Sequence, residues 1–274
     1  MGIIYTDTLE KESVILMNEM PKTGSVKDLI RLLLFEKNND IRNGLYDTVQ
    51  TAMSYHSNKI EGSTLTYEGT WELYDKGVII SDEVIKSSDI SDAQGHFLMF
   101  DKMLDTLEEP IGKNLVCSYH EALKSTSYYD RKKKFAIGSY KKLNNSIGGL
   151  IQTVDVSDVE NEMEDLFDRY NTIAEIGHTY KTLAANHISF ERIHPFQDGN
   201  GRVGRMLLFR QCIDAGLMPC LITENFSIPY KNALKEASSG ISGSETLSAI
   251  LEKSSISFWG IAEHFVSAFM KGEH

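Results

Sequence analysis

The stretch LAANHISFERIHPFQDGNGRVGRMLLFRQCI, residues 183–213, indicates two helices joined by a polar loop. Apolar side chains recur at helical spacing before the loop, and Val203 and Leu207 belong to a second helical stripe after it. Pro195 disfavours the helical conformation for the residue that precedes it. We therefore expect the first helix to end at His194, which would leave an imidazole on rigid support, where it can act as a general base.

The loop between the two helices has the composition of an anion-binding site. Gly199 and Gly201 permit positive φ angles and a close approach of the backbone to a ligand. The loop leads into a helix N-terminus, whose unpaired backbone N–H groups carry roughly half a positive charge. Arg202 and Arg205 lie three residues apart, on one face of that first turn. A polyphosphate would compensate their charge through bidentate hydrogen bonds.

Asp198 adds a hard oxygen ligand beside this anion site. Magnesium is typically held by one or two carboxylates together with phosphate oxygens. Residues 194–205 therefore combine a base, a metal ligand, an anion-binding loop and two guanidinium groups. These are the parts that phosphoryl or nucleotidyl transfer requires.

The segment HPFQDGNGRVGR, residues 194–205, matches the Fic-domain signature His-x-Phe-x-(Asp/Glu)-Gly-Asn-Gly-Arg-x-x-Arg at every fixed position. The chain thus resembles the Fic adenylyltransferase family. The resemblance implies an all-α Fic fold, a helical bundle with a small β-hairpin flap, and transfer of AMP from Mg-ATP to a Ser, Thr or Tyr hydroxyl of a target protein or of the chain itself. The implied site residues are the base His194, the core anchor Phe196, the Mg²⁺ ligand Asp198, and the phosphate-binding or nucleotide-binding residues Gly199, Asn200 (its side chain adding a donor), Gly201, Arg202 and Arg205.

A second motif lies upstream, in SNKIEG, residues 57–62. Ser57 and Glu61 are four residues apart and so share a helix face, and Gly62 can end that helix in a left-handed cap. The motif resembles the inhibitory-helix pattern of Fic proteins, Ser/Thr-x-x-x-Glu-Gly/Asn. That resemblance implies that Glu61 forms a salt bridge with Arg205 and competes with the γ-phosphate of ATP for it.

The segment FAIGSYKKLNNSIGGLIQTV, residues 135–154, places turn residues between short apolar runs, which indicates a hairpin. It resembles the flap of Fic proteins, a hairpin over the active site that pairs with an extended segment of the target protein by strand addition. The flap positions are Ile147, Gly148 and Gly149. Lys141 stands where family flaps often carry an arginine.

The rest of the chain indicates helices with buried faces. Ile41, Leu45, Val49 and Met53, for example, recur every fourth residue. A boundary near Glu109-Pro110 divides the chain into an N-terminal helical region, 1–109, which carries the inhibitory motif, and a Fic catalytic domain, 110–274. Two histidines on apolar helix faces, His120 and His187, are interpreted as structural, and the three cysteines, Cys117, Cys212 and Cys220, as small buried hydrophobes.

The composition excludes several classes of partner. The formal net charge is −11 and the densest basic run, residues 131–134, is four residues long, so we expect no nucleic-acid partner. No stretch approaches the roughly 18 apolar residues of a membrane span. Acidic residues interrupt the N-terminal segment, which lacks the pattern of a signal peptide, and we expect a cytoplasmic protein without a membrane partner. The family resemblance leaves a homodimer open.

Other activities remain open on the same site. Removal of AMP would use Glu61 productively, to position a water molecule. Transfer of UMP, phosphocholine or phosphate is a further alternative, although phosphate-transferring relatives depart from the last part of the motif, where Arg202 and Arg205 are both present here. A non-enzymatic nucleotide-binding module would need no base at His194. A metal-dependent hydrolase would need a second cluster of carboxylates or histidines at ligand spacing.

Overall fold

The computed structural model describes residues 23–148, 151–176, 179–238 and 243–272, which are almost wholly helical. The predicted all-α class with one small hairpin is confirmed. The two strands of the hairpin, β1 Ser146–Ile147 and β2 Ile151–Gln152, pair antiparallel. A 3₁₀ turn lies at Glu224–Phe226. The helices are α1 Thr23–Asn38, α2 Leu45–Ile60, α3 Tyr67–Lys76, α4 Ser87–Asp105, α5 Lys113–Lys124, α6 Tyr128–Lys132, α7 Val159–Ile176, α8 Tyr180–Ile193, α9 Asn200–Asp214, α10 Ser227–Ser238 and α11 Gly243–Lys271.

The main hydrophobic core joins helices from both ends of the chain. It takes buried side chains from α1, α2, α4, α5, α7, α8, α9 and α11. Phe100 of α4, for instance, meets Phe209 of α9 edge to face, with ring centroids 5.9 Å apart. The boundary predicted near Glu109-Pro110 falls in the connection between α4 and α5 and stays a prediction. Side chains from both sides of it share this core.

Local sequence rules fix the ends of the two helices that carry the motifs. Helix α8 ends at Ile193, as Pro195 led us to expect, and His194 takes the left-handed conformation with φ 53° and ψ 59°, which the proline alone does not predict. Helix α2 ends at Ile60, and Gly62 has φ +91°. Glu61 is therefore the capping residue of α2 and lies one residue beyond the helix that was predicted to contain it.

The hairpin is shorter than the segment predicted for it. Each strand has two residues, Ser146 pairs with Gln152, and Ile147 pairs with Ile151. Gly148 has φ +58°, whereas Gly149 lies outside the described residues.

The region before the hairpin is held by the loop that follows α8. The backbone N–H of Lys141 donates to the Pro195 carbonyl at 2.7 Å, and the Asn145 amide donates to the Phe196 carbonyl at 2.9 Å. The flap thus has its base on the loop that carries the sequence motif.

All three cysteines are free thiols. Cys212 and Cys220 are buried, as expected, and Cys117 is half-buried. In the described ranges, no helix is both long enough and apolar enough to cross a bilayer.

Candidate active site

A cleft of about 630 Å³ opens beside the N-terminus of α9. Ligand pockets commonly measure about 300–1,000 Å³, so this cleft has room for a nucleotide. A smaller polar cavity of about 300 Å³ shares Glu61 and Gly62 with the cleft and is lined by Asp198 and Arg202. The sequence motifs therefore meet around one opening. The cleft itself is lined by predicted residues from the cap of α2, the hairpin, the end of α8 and the start of α9, namely Glu61, Gly62, Ile147, Gly148, His194, Gly201 and Arg205.

The imidazole of His194 faces this cleft from the end of α8. Its Nδ1 lies 3.2 Å from the carbonyl oxygen of Glu191. A proton on Nδ1 would be donated to that carbonyl, which leaves Nε2 as a proton acceptor. Burial lowers the pKa of His194 below its ordinary value. The ring is therefore neutral at physiological pH, as a general base must be before it takes a proton.

The loop after His194 is held from inside the core. Phe196 is fully buried and stacks on His120, with ring centroids 4.0 Å apart and planes 6° apart. The Asn200 side chain accepts from the Phe196 N–H at 2.7 Å and donates to the Phe196 carbonyl at 2.8 Å. The Asn200 amide, expected to donate to a bound anion, thus ties the loop to itself instead. That Asn200 binds phosphate remains a prediction, and the group left to do so is its backbone N–H.

His120 also connects the loop to the segment that leads into the flap. It accepts from the Gly138 N–H at Nδ1, 3.0 Å away, and its Nε2 lies 3.1 Å from the Asp198 carbonyl oxygen. Both ring nitrogens therefore have partners when the ring is neutral. Burial lowers the pKa of His120 to about 4, which keeps it in that form. His120 occupies the structural position that its apolar helix face predicted.

Two glycines of the loop allow a close approach to the backbone at the start of α9. Gly199 precedes α9 with φ +84°, in the left-handed region that glycine adopts at little cost. Gly201 lies in the first turn, where a Cβ atom would collide with Oε1 of Glu61. The lack of a side chain therefore lets an acidic group approach the helix N-terminus closely. In this structure that acidic group is the Glu61 carboxylate.

Arg205 is buried and meets the inhibitory motif. Its Nη2 lies 2.7 Å from Oε1 of Glu61 and donates to the Ser57 carbonyl at 2.9 Å, while its Nε donates to the Ser57 hydroxyl at 3.0 Å. Burial acts to raise the pKa of Glu61, but Arg205 and Arg202 outweigh it and hold that pKa below its ordinary value. The predicted contact between the two motifs thus exists, with Glu61 ionised.

Arg202 and Asp198 belong to a charged network inside the bundle. Arg202 is buried and donates from Nη1 to Asp92 of α4 at 2.6 Å. The Asp198 carboxylate contacts Arg202 at 3.4 Å and the ammonium group of Lys124, at the end of α5. Lys124 also meets Asp130 at 3.0 Å. Burial acts to raise the pKa of Asp198, but Lys124 and Arg202 hold it well below the usual range.

The donor set around Asp198 fits a magnesium ion that is held mainly by phosphate. The Asp198 side chain is half exposed and ionised, so it can offer a carboxylate oxygen to a cation in the adjoining cavity. Within the part of the chain that the structure describes, no three His, Cys, Asp or Glu side chains cluster as ligands. One carboxylate completed by phosphate oxygens and water is an arrangement that Mg²⁺ commonly adopts.

Two residues of the site, Lys124 and Glu191, were not identified from the sequence, and a third, Lys141, has a role that the sequence did not indicate. Lys124 lies four residues after His120, a helical spacing that could have placed both on the face below the loop. Glu191 lies three residues before His194 and lines the cleft. Lys141 buries its ammonium group, which donates to the Ile193 carbonyl at 3.2 Å, and burial lowers its pKa to about 8. Lys141, which stands where family flaps often carry an arginine, therefore supports the flap from below.

Comparisons with known proteins agree on one family. The model of the Fic/DOC family matches residues 110–212. Over 188 residues the chain is 24% identical to a protein adenylyltransferase Fic of Nematostella vectensis, covering 68% of this chain and 43% of the relative. Over 54 residues it is 46% identical to a probable protein adenylyltransferase of Aquifex aeolicus (strain VF5), which covers 20% of this chain and 16% of that relative. The chain thus spans less than half the length of these curated relatives.

Solved structures show the same fold. A Fic domain containing signaling protein from Bacteroides thetaiotaomicron aligns with a TM-score of 0.72 at 22% identity, over 91% of this chain and 98% of that one. Fic-1 from C. elegans aligns with a TM-score of 0.64 at 17% identity, over 99% of this chain and 79% of that one. These likenesses extend the shared fold to the helices on both sides of residues 110–212.

Proposed function

Because residues 110–212 form a Fic domain, we propose that this protein is a protein adenylyltransferase, which moves AMP from Mg-ATP to a Ser, Thr or Tyr hydroxyl of a target protein. The observation that carries the proposal is the meeting of a neutral imidazole, a glycine-bounded helix N-terminus and a buried guanidinium group around one cleft. Family membership supports a transferase. The choice of AMP rests on the two arginines of the motif and on the names of the relatives.

In the proposed reaction, Nε2 of His194 takes the proton of the target hydroxyl as its oxygen attacks the α-phosphorus of ATP. The new bond joins that oxygen to the α-phosphorus, and the bond between the α-phosphorus and its bridging oxygen breaks, so that pyrophosphate leaves. The backbone N–H groups at the start of α9, near Gly199 and Gly201, would bind the phosphate oxygens. Arg202 and Arg205 would bind the leaving phosphates.

Mg²⁺ would be held by Asp198 and would offset phosphate charge when bound. The Asp198 carboxylate is suited to this because its pKa lies well below the usual range. Lys124, which now contacts that carboxylate, would keep it oriented from the inner side. The outer side faces the cavity that also contains Arg202.

The target would dock on the hairpin as an extended segment. Ile147 and Gly148 line the cleft opposite the α2 cap, on the same side as His194. A strand of two residues leaves backbone groups that a target segment could pair with by strand addition. The segment before the hairpin is hydrogen-bonded to the loop that follows His194. The hydroxyl of a docked target segment would therefore lie near the His194 imidazole.

Glu61 would act as a brake on this reaction. In the present arrangement it occupies the guanidinium of Arg205 that would otherwise bind the γ-phosphate. Holding the site in the blocked state at 99 to 1 takes about 2.7 kcal/mol. A charge-assisted hydrogen bond contributes roughly 1.5–3 kcal/mol, and the exposure of the Glu61 side chain favours the lower end of that range. The Glu61–Arg205 pair and the Ser57 contacts together can therefore supply the roughly 2.7 kcal/mol that this inhibition needs.

Removal of AMP from a modified protein is the second candidate. The observation in its favour is that Glu61 is ionised and lines the same cleft as His194. A carboxylate there could hold a water molecule for attack on a phosphodiester. The two functions make opposite demands on Glu61, since its loss would activate transfer and abolish removal.

Transfer of label from ATP distinguishes these functions. We would incubate the Glu61→Gly variant and a mixture of candidate proteins with Mg²⁺ and ATP labelled at either the α- or the γ-phosphate. The proposal predicts that label from the α-phosphate, and not from the γ-phosphate, becomes bound to protein. It predicts no bound label with the double variant that carries both Glu61→Gly and His194→Ala. Label from the γ-position would indicate phosphate transfer. Absence of both, with release of AMP from a modified protein by the wild type alone, would favour removal.

A further inference from the structure

Glu191 places a buried carboxyl group directly behind the base. It lies in the last turn of α8, is 8% exposed and forms part of the wall of the cleft. Its Oε2 lies 4.0 Å from Nδ1 of His194, and its Oε1 lies 3.8 Å from Nε2 of His187. Neither distance is a hydrogen bond. Among the residues that the structure describes, Oε1 has no hydrogen-bond partner although it is buried.

The fold makes room for this carboxyl group. A Cβ atom at Gly204, on the facing helix α9, would lie 2.6 Å from Oε1 of Glu191 and 3.0 Å from the Phe190 ring. His187 cannot serve as its counter-ion, because its Nε2 lies 2.7 Å from the Tyr230 hydroxyl and burial lowers its pKa to about 3. A buried carboxyl group without a full set of partners is costly. Its place beside the base suggests what offsets that cost.

We propose that Glu191 is a positioning residue for the base, whose ionised carboxylate stabilises the imidazolium that forms on His194 when it takes the proton of the target hydroxyl. The proposal rests on the proposed function of His194. The Glu191 carbonyl accepts from Nδ1–H, which orients the ring and fixes its tautomer. The carboxylate of the same residue then lies 4.0 Å from Nδ1, one of the two ring nitrogens that share the positive charge once Nε2 has taken the proton.

The charge state of Glu191 makes this contribution depend on pH. Burial raises the pKa of Glu191 to about 7, with Arg205 opposing and Glu61 adding to the shift. Burial meanwhile lowers the pKa of His194 below 6.5. As the pH falls, Glu191 thus becomes neutral before His194 is protonated. The titratable and charged groups that face the pair are His187 on α8, Arg205 on α9, Glu61 at the cap of α2, Tyr230 on α10 and, toward the imidazole, Lys141 and Asp198.

The rate of transfer should therefore fall on the acid side with the titration of Glu191 and before His194 is protonated. In the Glu61→Gly background we expect the midpoint of the acid limb of the pH–rate profile close to pH 7. The midpoint should lie slightly lower than the pKa of Glu191 in the wild type, because the negative charge of Glu61 is gone. Adding Glu191→Gln should lower the plateau rate by roughly 10-fold to 100-fold, part of the 10²–10⁴-fold that a general base contributes. It should also move the acid limb below pH 6.5. Glu245→Gln, a matched change at an exposed carboxylate, should alter neither quantity.

An acid limb that stays in place in Glu191→Gln would overturn the proposal and leave the proposed function intact. A measurement that needs no transfer separates the two ideas. In the wild-type protein with ¹³C-labelled glutamate and ¹⁵N-labelled histidine, one carboxyl resonance should titrate near pH 7, and the His194 ring, assigned with His194→Ala, should shift at the same pH. In Glu191→Gln the carboxyl titration should be absent, and the His194 ring resonance should no longer shift near pH 7. The proposal fails, even if AMP transfer is found, if the wild-type protein shows no carboxyl titration near pH 7. It also fails if the His194 ring resonance does not shift with that titration.

Discussion

Arg205 is the residue on which the proposed activity and its proposed inhibition meet. Its guanidinium group has three contacts with the end of α2, of which one is to a carboxylate and two are to the hydroxyl and carbonyl of Ser57. A triphosphate would have to replace the carboxylate contact. The contacts to Ser57 hold the arginine at the end of α2 and so favour the arrangement in which the carboxylate occupies it.

These contacts predict a graded release of the brake. Ser57→Ala removes one hydrogen bond that the charged guanidinium donates, of about 1.5 kcal/mol at the lower end for such bonds, and should raise self-modification by roughly 10-fold. Glu61→Gln removes the charge while keeping the size of the side chain, and should raise it further, toward the level of Glu61→Gly. The initial rate of label incorporation from α-labelled ATP checks this order. Equal rates in all variants and in the wild type would contradict the role of the pair.

Lys124 is the residue whose loss should cost most stability near the site. Lys124→Met leaves the carboxylates of Asp198, Asp130 and Asp92 without their shared ammonium group. Removing one partner of a buried ion pair typically costs about 3–5 kcal/mol. Lys113→Met, at the other end of α5, breaks an exposed pair with Glu160 and should cost less than about 1 kcal/mol. Urea unfolding of both variants gives the comparison, and equal losses would mean that the buried network adds nothing.

At the scale of elements, close approach of α4 and α5 brings Asp92 to the loop between α8 and α9. Gly95 faces the backbone of α5, and a Cβ atom there would collide with the carbonyl oxygen of Leu123. The neighbouring residues of these helices, Asp92 and Lys124, are those that reach the loop. The spacing of the two helices therefore sets the geometry of the charged network.

Gly95→Ala should force α4 and α5 apart. The added methyl group meets backbone, which cannot move aside as a flexible side chain can, so we expect a loss of about 1–3 kcal/mol or more. Gly260→Ala, in α11 with open space around it, is the matched control and should stabilise by up to about 1 kcal/mol through helix propensity. Thermal unfolding of both variants is the measurement. A stable Gly95→Ala variant would show that the helix contact is more adaptable than the structure implies.

Element ends that obey local rules could be predicted from the sequence, and elements that depend on distant partners could not. The end of α8 followed from Pro195, and the left-handed Gly62 followed from the glycine cap, whereas the left-handed conformation of His194 followed from neither. Ile41, by contrast, belongs to the apolar stripe of α2 in sequence but lies before the helix and is 41% exposed. The hairpin kept two residues a strand out of a twenty-residue segment, because bonds to the loop after His194 take up much of the rest.

The site divides in the same way. The contact between Glu61 and Arg205 could be predicted, because both residues stand in motifs that resemble those of Fic proteins. The roles of Lys124, Glu191 and Lys141 could not be predicted, because they depend on the loop, ring or helix end that the fold brings beside them. No periodicity distinguishes a buried ammonium group from an exposed one before that neighbour is known.

At the scale of the whole molecule, buried histidines should make folding sensitive to acid. Burial lowers the pKa of His96 and His187 to about 3 and that of His120 to about 4. Between those values and 6.5 the unfolded chain binds these protons and the folded chain does not, so stability falls as the pH falls. Glu191 acts in the opposite sense, because its raised pKa lets the folded state hold a proton below about 7.

Burial also lowers the pKa of His56 to about 4, so four histidines against one glutamate leave a net difference of about three protons near pH 5.5, or on the order of 4 kcal/mol per pH unit. Urea unfolding at pH 6.5 and 5.5 should show this loss of stability. Glu191→Gln should steepen the dependence by about one proton, because the opposing group is gone. A stability that is flat over this range would mean that the histidines are protonated in the folded state.

The proposed transfer of AMP needs His194 as its base and is held back by Glu61. The most direct test is the intact mass of the protein after incubation with Mg²⁺ and ATP, for the wild type, Glu61→Gly, and Glu61→Gly with His194→Ala. We predict a gain of one AMP mass per modified site in Glu61→Gly, little or none in the wild type, and none in the double variant. No gain in Glu61→Gly, or a gain that survives the loss of His194, would contradict the account.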